Sequence, residues 1–458
     1  MYKFVKKFCV LYVFIFLAVF LNSFILYGEN TSKSYRELQQ LSTDYEDSIG
    51  NGRKTFELSG EASLSEYLVY AALHNPELEA AFNRWKATVE NIPQMTSLPD
   101  PRLTYSYYLE HVETRVGPQR HAFSITQMFP WFGKRDLMGN SALQEANSQW
   151  EMFQALKRKL FFSVKRAYSE FYYLQRSYQI TEENMELLRG MESIVRSKYT
   201  SGKAPYSAVI KFQVEIGKLE ERILSLDEIK EPVIAELNAA LNRQPDALLP
   251  SPASLPDDTL NVAYMDLVGQ LKEYNPELKA IDFQSYKVKN SINLAKKQFY
   301  PDITLGLNYI ETGPSVMPGT KDNGKDPVIG MFSINLPIWR GKYRAAVREA
   351  QSQYNFVTRN RKNRENTLTA ELRRALYDYN DAQRKIDLYK NTLLPKAHES
   401  INVSLREFEA GKVDYLHVID SQKTLLELEL AYERAASNRA IQYAHIELIA
   451  GEGINQTK

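Results

Sequence analysis

Residues 368–393 have the sequence LTAELRRALYDYNDAQRKIDLYKNTL, in which apolar side chains recur at alternating spacings of four and three. Such a seven-residue apolar repeat is typical of a helix that supercoils against its neighbours. No proline occurs between Pro337 and Pro395, and we predict one helix from about Arg340 to Phe408. A helix of about seventy residues is ~100 Å long, so it must pack against comparable helices. The repeat consists of Leu368, Leu372, Ala375, Tyr379, Ala382, Ile386, Tyr389 and Leu393.

The same design occurs twice in the chain. Residues 408–415, FEAGKVDY, separate this helix from a second helix with a periodic apolar pattern. Residues 199–206, YTSGKAPY, likewise separate two long helical patterns. Gly411 and Gly202 suit helix ends because glycine adopts positive φ without steric cost. We therefore predict two long helical hairpins related by internal duplication, over residues 133–242 and 340–450.

The composition limits the possible function classes. The 458 residues include 57 basic and 56 acidic side chains, and this near-neutral balance gives no reason to expect a nucleic-acid partner. Hydrophobic residues make up 44% of the chain and charged residues 25%, which is ordinary for a folded protein.

The N-terminus predicts a signal peptide over residues 1–28. Lys3, Lys6 and Lys7 precede an apolar run that ends near Tyr27, as in a secretory signal. An uncleaved membrane anchor is the alternative interpretation. Cys9 is the single cysteine and lies in this segment without a lipoprotein context, so we expect neither lipidation, disulfides nor a thiolate metal site in the mature chain.

The rest of the chain divides into segments with different patterns. Ser63 and Glu66 form a capping-box pattern at a helix start. Asn-Pro-Glu-Leu occurs at 75–78 and again at 275–278, each time between two short helices. The predicted segments are a flexible or surface-lying arm (29–62), a first repeat (63–244), a proline-rich linker (245–260), a second repeat (261–453) and a tail (454–458).

Each repeat also contains two predicted strands. Apolar and polar residues alternate over about ten residues in each strand, which is long enough for a tilted strand to cross a bilayer. The connections at 110–120 and 312–327 are polar and rich in Gly and Pro, as exposed loops would be. A half-buried sheet in a soluble domain is the alternative interpretation. The predicted strands are 101–112, 121–129, 301–311 and 327–337.

Similar turns join the second strand of each pair to the long helix. The sequences are PWFGKR at 130–135 and PIWRGK at 337–342. The proline ends strand pairing, the aromatic side chains suit a membrane–water interface, and the glycine relieves the corner into the helix. The turn residues that we single out are Pro130, Trp131, Gly133, Pro337, Trp339 and Gly341.

We find no pattern that predicts catalysis or a cofactor. The six histidines form no metal-binding motif, and there is no nucleophile-elbow sequence. We therefore expect a protein that is not an enzyme and has no cofactor or metal site.

From Ser63 to Gly453 the order of helices, strand pair and helical hairpin, repeated once, resembles the TolC-type outer-membrane efflux proteins. The most specific elements are the two Asn-Pro-Glu-Leu segments, the turn at 129–135 and the glycine tips. The PWFGKR turn is most similar to the branch that serves heavy-metal efflux.

The resemblance implies an α+β membrane protein. Three chains, each giving four strands, would form a 12-stranded β-barrel in the outer membrane, continued by a long α-helical coiled-coil barrel in the periplasm. The expected function is a passive exit duct of a tripartite efflux pump. Its expected partners are two further copies, a periplasmic adaptor (membrane fusion) protein, an inner-membrane transporter of the RND type, and outer-membrane lipid. Four strands alone cannot close a barrel, whereas twelve can.

The resemblance also assigns roles at the hairpin tips. It implies adaptor docking at Gly202 and Gly411, with Lys203, Tyr206, Lys412 and Tyr415 beside them. It implies an aperture lined by acidic residues, for which Asp420 matches one position. His417 and Ala208 occupy other such positions, and Asp414 is a possible substitute. The alternatives are that the glycines only end helices, that Asp420 is a solvated surface residue, and that the two tyrosines only pack.

Two other functions remain open from the sequence. One is the exit duct of a type I protein secretion system, because the interior says nothing about cargo. The other is a non-conducting periplasmic coiled-coil scaffold, against which the four amphipathic strands argue.

Overall fold

The computed structural model describes residues 29–55, 58, 62–451 and 454. The predicted signal peptide, or anchor, at 1–28 lies outside the described residues, as does the predicted tail apart from Ile454. The elements of the first half are α1 (Glu29–Thr55), α2 (Leu64–His74), α3 (Pro76–Val89), α4 (Asn91–Thr96), β1 (Arg102–Thr114), β2 (Gly117–Phe129), α5 (Lys134–Thr200) and α6 (Tyr206–Ala240).

The second half repeats the order from α2 onward, which agrees with the predicted duplication. Its elements are α7 (Tyr264–Tyr274), α8 (Pro276–Lys297), β3 (Ile303–Thr312), β4 (Val328–Ile334), α9 (Arg340–Leu388), a π-helical turn (Tyr389–Leu393), α10 (Leu394–Glu409) and α11 (Tyr415–Ala450).

The arm at 29–62 was predicted to be flexible or surface-lying. Residues 29–55 form a mostly exposed helix, α1, so the flexible alternative is wrong there. The helix is mostly polar, and both hydrogen bonds and aromatic packing hold it. The Tyr45 ring lies 4.5 Å from the ring of Phe82, between centroids. Thr31 is buried and donates to Asn140 Oδ1 at 3.3 Å, and Tyr35 donates to Glu90 Oε2 at 2.9 Å. Apolar side chains are sparse in this helix, so its periodicity is weak in the sequence.

The two Asn-Pro-Glu-Leu segments have the same structural role. Each proline begins a helix, where its missing N–H leaves no bond unmade. Each asparagine is buried, and its oxygen accepts from the backbone N–H three residues later. The Asn75 amide donates to Ala240 O at 3.0 Å and the Asn275 amide to Ile449 O at 2.9 Å. Each motif therefore ties the start of a repeat to the helix that ends the same repeat.

The four strands form one antiparallel sheet in the order β1-β2-β3-β4, as expected for two successive hairpins joined side by side. The expected loop at 110–120 is wrong, because β1 and β2 continue to Thr114 and Gly117. A register shift between Tyr107 and Val112 accommodates the irregular residues. Gly117 has φ of +133°, which favours glycine at this tight turn. The connection at 313–327 does lack regular structure.

The predicted uninterrupted helix from Arg340 to Phe408 is interrupted by the π-helical turn at Tyr389–Leu393. Pro395 lies two residues after its end, and a proline inside a helix removes an N–H and crowds the preceding turn. A π-helical turn accommodates this change in the hydrogen-bond register. The seam from Leu368 to Ile386 is buried as predicted, whereas Tyr389 and Leu393 in the π-helical turn are half-buried.

The described residues form two compact units. One consists of 29–44, 84–150 and 280–361 and contains the sheet. The other consists of 45–83, 151–279 and 362–454 and contains both hairpin tips. In the second unit, α5, α6, α10 and α11 share one apolar core that includes Phe212, Val418 and Ile401. None of the described helices is both long and apolar enough to cross a membrane.

Candidate functional site

The two faces of the sheet differ in polarity. One row across the sheet contains Tyr105, Phe123, Tyr309 and Val328, and the next row on that face contains Leu103, Ile125 and Leu307. These side chains are 40–72% exposed. The row between them, on the opposite face, contains Thr104, Ser124, Asn308 and Ile329. An exposed apolar face of this extent favours contact with lipid rather than water.

Both edges of the sheet are open within the chain. Among the described residues, β1 pairs only with β2, and β4 only with β3. Strand edges with unpaired N–H and C=O groups bind further strands, and they are not tolerated in lipid. The sheet therefore has the polarity of a membrane barrel wall but requires further strands to close.

The turns at the sheet end differ between the two repeats. After Pro130, the Trp131 ring stacks on Tyr300 with centroids 5.6 Å apart, and Gly133 has φ of +77°, as the corner requires. After Pro337, the Trp339 side chain is 76% exposed. Gly341 lies in the first turn of α9 without positive φ, so the expectation that it relieves the corner is wrong there.

The two hairpin tips have the same backbone geometry. Gly202 and Gly411 have φ of +72° and +71°. Gly202 N–H donates to the carbonyl three residues earlier and Lys203 N–H to the carbonyl five residues earlier, at 2.9 and 2.8 Å. Gly411 and Lys412 repeat these bonds at 3.1 and 2.8 Å. This pair of bonds is the Schellman motif that ends helices at a glycine, so both glycines act as helix caps.

The tip tyrosines differ in their surroundings. Tyr415 is half-buried and packs against the apolar core of its unit, as the packing interpretation predicts. Tyr206 is 55% exposed and contacts Tyr199, with ring centroids 5.2 Å apart. The exposed Tyr206 and Tyr199 therefore present an aromatic surface at the first tip.

The three predicted aperture residues are exposed, and no side-chain hydrogen bond or ion pair joins them to one another in the described structure. The His417 backbone N–H donates to Asp414 O at 3.1 Å, as at the start of a helix. Asp414 caps α11, with Oδ1 accepting from Tyr415 N–H at 2.7 Å. His417 and Asp420 lie on the first turns of the same helix, both exposed to solvent. Ala208, at the matching position of the first tip, is buried.

A buried carboxylate near the tips was not predicted from the sequence. The Glu215 side chain on α6 is 4% exposed, and its oxygens lie 3.4 Å from Lys211 Nζ, 3.1 Å from Lys218 Nζ and 3.1 Å from Lys423 Nζ. Burial acts to raise the pKa of Glu215, but the hydrogen bonds from Lys423 and Lys218 outweigh it and the pKa is lowered. The spacing of Lys211 and Lys218 around Glu215 was a detectable helix-surface pattern. The contact with Lys423, on α11, had no sequence signal.

A second connection between the hairpins was also missed. Lys198 Nζ, near the end of α5, donates to Phe408 O at 2.7 Å and lies 4.2 Å from the centre of the Phe408 ring. It also donates to Glu409 O at 3.3 Å. A cation at the C-terminal carbonyls of α10 is favourable because of the helix dipole. Lys198 and Lys423 therefore each link the first hairpin to the second.

No three His, Cys, Asp or Glu side chains among the described residues come together as a potential metal site. The described part of the chain thus has a sheet with an exposed apolar face, two capped hairpin tips and, near those tips, cation contacts between the hairpins.

Comparisons with known proteins agree with this geometry. Residues 267–452 match the family model of the outer membrane efflux proteins. The cobalt-zinc-cadmium resistance protein CzcC of Cupriavidus metallidurans is 25% identical over 400 residues, which cover 82% of this chain and 87% of CzcC.

Solved outer-membrane proteins share the fold. CusC, whose structures concern transmembrane channel formation, superposes with a TM-score of 0.73 at 15% identity, covering 87% of this chain and 94% of CusC. The outer membrane protein VceC of Vibrio cholerae has a TM-score of 0.69 at 18% identity, covering 86% of this chain and 97% of VceC.

Proposed function

We propose that this chain, which belongs to the TolC-type outer-membrane efflux proteins, assembles as three copies into the passive exit duct of a tripartite efflux pump. It lies in the outer membrane and extends into the periplasm through its helices. The duct conducts cargo outward, and the energy is supplied by an inner-membrane transporter.

The sheet carries this proposal. Its apolar face is exposed, its opposite face is largely polar, and both of its edges are open. Three copies related by a threefold axis would give twelve strands and a closed ring without free edges, with lipid outside and water inside. One copy alone leaves its strand edges in lipid. Two copies would give eight strands, a barrel whose interior is filled by side chains and which therefore leaves no duct.

The hairpin tips are the proposed contact site for a periplasmic adaptor. Gly202 and Gly411 lie in tight turns, and no atom lies within 4 Å of the position that a Cβ would take at either one. Tyr206 adds exposed aromatic surface. Lys203 and Lys412 follow the two glycines, and Tyr415 supports the second tip from the core side. The transporter behind the adaptor is proposed to be of the RND type.

The aperture is proposed to be lined by Asp420, with His417 and Asp414 close to it in sequence. Three copies of an exposed carboxylate around one axis would repel each other when ionised and would attract cations. The resemblance to CzcC, named for cobalt, zinc and cadmium resistance, supports divalent metal ions as the cargo. Protein secretion is the second possible cargo class, and no residue of the site favours it.

The test is single-channel recording of the full chain, extracted in detergent and inserted in a planar bilayer, with its mass measured by native mass spectrometry. We expect a trimer with small, cation-selective openings. A monomer, or a trimer that never conducts even when the tips are loosened by mutation, would instead support a non-conducting periplasmic scaffold.

A further inference from the structure

The two strand–helix corners share one backbone hydrogen bond. Lys134 N–H donates to Trp131 O at 3.0 Å, and Lys342 N–H donates to Trp339 O at 3.1 Å. Each corner follows a strand and a proline, and each leads into a long helix. Trp131 and Lys134 therefore correspond to Trp339 and Lys342.

The first corner is completed by residues from the start of β3. The Lys134 side chain is 4% exposed, and its ammonium group donates to Asp302 Oδ1 at 2.7 Å and to Tyr300 O at 3.0 Å. Asp302 Oδ1 also accepts from Trp131 N–H at 2.8 Å, and the Trp131 ring stacks on Tyr300. Because β2 and β3 are neighbours in the sheet, these contacts form within one chain.

The second corner lacks such a cover within the part of the chain that the structure describes. Lys342 is exposed, makes no ion pair there, and its ammonium lies 5.8 Å from the centre of the Tyr343 ring. Trp339 is 76% exposed, whereas Trp131 is half-buried. The lysine at the matching position of the first corner is buried and paired with an aspartate. The second corner therefore has the lysine and the tryptophan but no acidic partner among the described residues.

The missing acidic group occurs once more in the sequence, before β1. Tyr-Pro-Asp at 300–302 precedes β3, and Leu-Pro-Asp at 98–100 precedes β1. Asp100 is exposed and makes no ion pair with described residues. It cannot meet Lys342 of its own chain in the way Asp302 meets Lys134, because β1 and β4 are at opposite edges of the sheet.

We propose that Lys342 of one copy pairs with Asp100 of the next copy and completes the second corner in the way that Lys134 and Asp302 complete the first. This inference rests on the proposed trimer. Around a threefold axis each copy supplies one lysine and one aspartate, and the head-to-tail contact closes after three copies. Burial of Lys342 at this junction requires a partner, because an unpaired buried charge is costly.

The duplication also specifies the strand register at the junction. Phe129, just before Pro130, lies opposite Ile303, just after Asp302. The second turn has one additional residue, Ile338, between its proline and its tryptophan, so strand residues are matched by counting back from the proline. The equivalent residues are then Leu336, before Pro337, and Pro101, after Asp100. Antiparallel pairing continues from this pair with falling numbers on β4 and rising numbers on β1. Two residues on, Ile334 of one copy therefore lies opposite Leu103 of the next. Both are exposed within the chain, at 43% and 72%, and both would lie on the apolar face of the sheet.

Charge exchange tests the ion pair in the full chain purified in detergent. We expect Lys342→Asp and Asp100→Lys each to lower the equilibrium constant for trimer formation by at least about tenfold, because three ion pairs are lost per ring. The double exchange should restore most of the trimer. Lys321→Asp, at an exposed residue of the 313–327 connection, is the matched control and should have no effect.

Disulfide formation tests the register. Directly opposite strand residues have Cα separations of about 4.5–5.5 Å, within the range of disulfides. The pair Leu103→Cys and Ile334→Cys should give covalent trimers on a denaturing gel. The pair Leu103→Cys and Phe332→Cys, shifted by two residues, should not, and the single variants should remain monomeric.

The outcomes separate the two proposals. A trimer of the correct mass without rescue by charge exchange and without the disulfide would overturn the junction and leave the exit duct intact. If the unaltered chain forms no trimer, the proposed duct itself is wrong. Covalent trimers only from the shifted pair would show a different register and overturn the Lys342–Asp100 contact.

Discussion

Neutralising Glu215 should loosen the hairpin tips. Glu215 on α6 is the buried acceptor for Lys423 on α11, so it connects the first hairpin to the second. Glu215→Gln keeps the shape of the side chain and removes its charge. We expect the variant to open more often than the unaltered protein in single-channel recordings.

The size of the effect follows from solvent exposure. The Glu215 side chain is 4% exposed, but Lys211, Lys218 and Lys423 are 42%, 60% and 41% exposed, so water can solvate the ammonium groups that lose their partner. An ion pair with one solvent-exposed partner contributes about 1 kcal/mol at most to the stability of the contact. Of the three ion pairs of Glu215, only the one with Lys423 joins the two hairpins. Its loss should therefore shift the opening equilibrium by about fivefold, since ~1.4 kcal/mol corresponds to tenfold.

The pH dependence gives an independent readout. The lowered pKa of Glu215 means that the folded protein favours the ionised carboxylate. Its stabilising contribution is complete above the ordinary pKa of 4.5 and is lost as the pH falls through the lower folded value. The open probability should therefore be constant from neutral pH down to about 4.5 and should rise at lower pH. This rise should be weaker in Glu215→Gln.

Glu220→Gln is the matched control. Glu220 is on the same helix, but its side chain is 53% exposed and pairs with Arg189 of the same hairpin at 3.0 Å. If Glu215→Gln opens no more often than Glu220→Gln, and if both keep the rise at low pH, then the Glu215–Lys423 contact does not hold the tips together.

Three further predictions concern single residues. Asp420→Ala should raise ion leakage through the closed duct and weaken block by divalent cations, and unchanged conductance and block would remove Asp420 from the aperture. Gly411→Ala should lower the free energy of unfolding by about 1 kcal/mol because φ is +71° there, although a Cβ would meet no atom within 4 Å. It should lower the thermal midpoint, whereas Gly190→Ala, within helix α5 and equally open, should raise it. Asn275→Ala should lower the free energy of unfolding by about 2 kcal/mol, because the Ile449 carbonyl loses a buried hydrogen-bond donor. An unchanged thermal midpoint would contradict this role.

Local patterns determined much of the fold. The spacing of Leu368, Leu372 and Ala375 predicted a buried helical seam, and all three are buried. Alternating polarity predicted the four strands, because successive side chains of a strand point to opposite faces. The glycines at 202 and 411 were correctly placed at helix ends, since positive φ is a property of one residue.

Helix α1 and the extended β1–β2 hairpin were not predicted, because weakly patterned segments are stabilised by contacts elsewhere in the chain. Thr31 is held by Asn140, and the strands continue past 110 because each provides the other with hydrogen bonds. Sequence periodicity contains no information on such partners.

The contacts of the candidate site depended on tertiary structure for the same reason. The sequence alone determined two repeats, their helical and strand periods, their glycine tips and the duplicated proline corners. Only the tertiary structure decided that Glu215 meets Lys423 and that Lys134 meets Asp302, 168 residues away. Periodicity follows from the geometry of the local backbone, which a few neighbouring residues set, whereas an ion pair between distant segments exists only after packing has removed both groups from water.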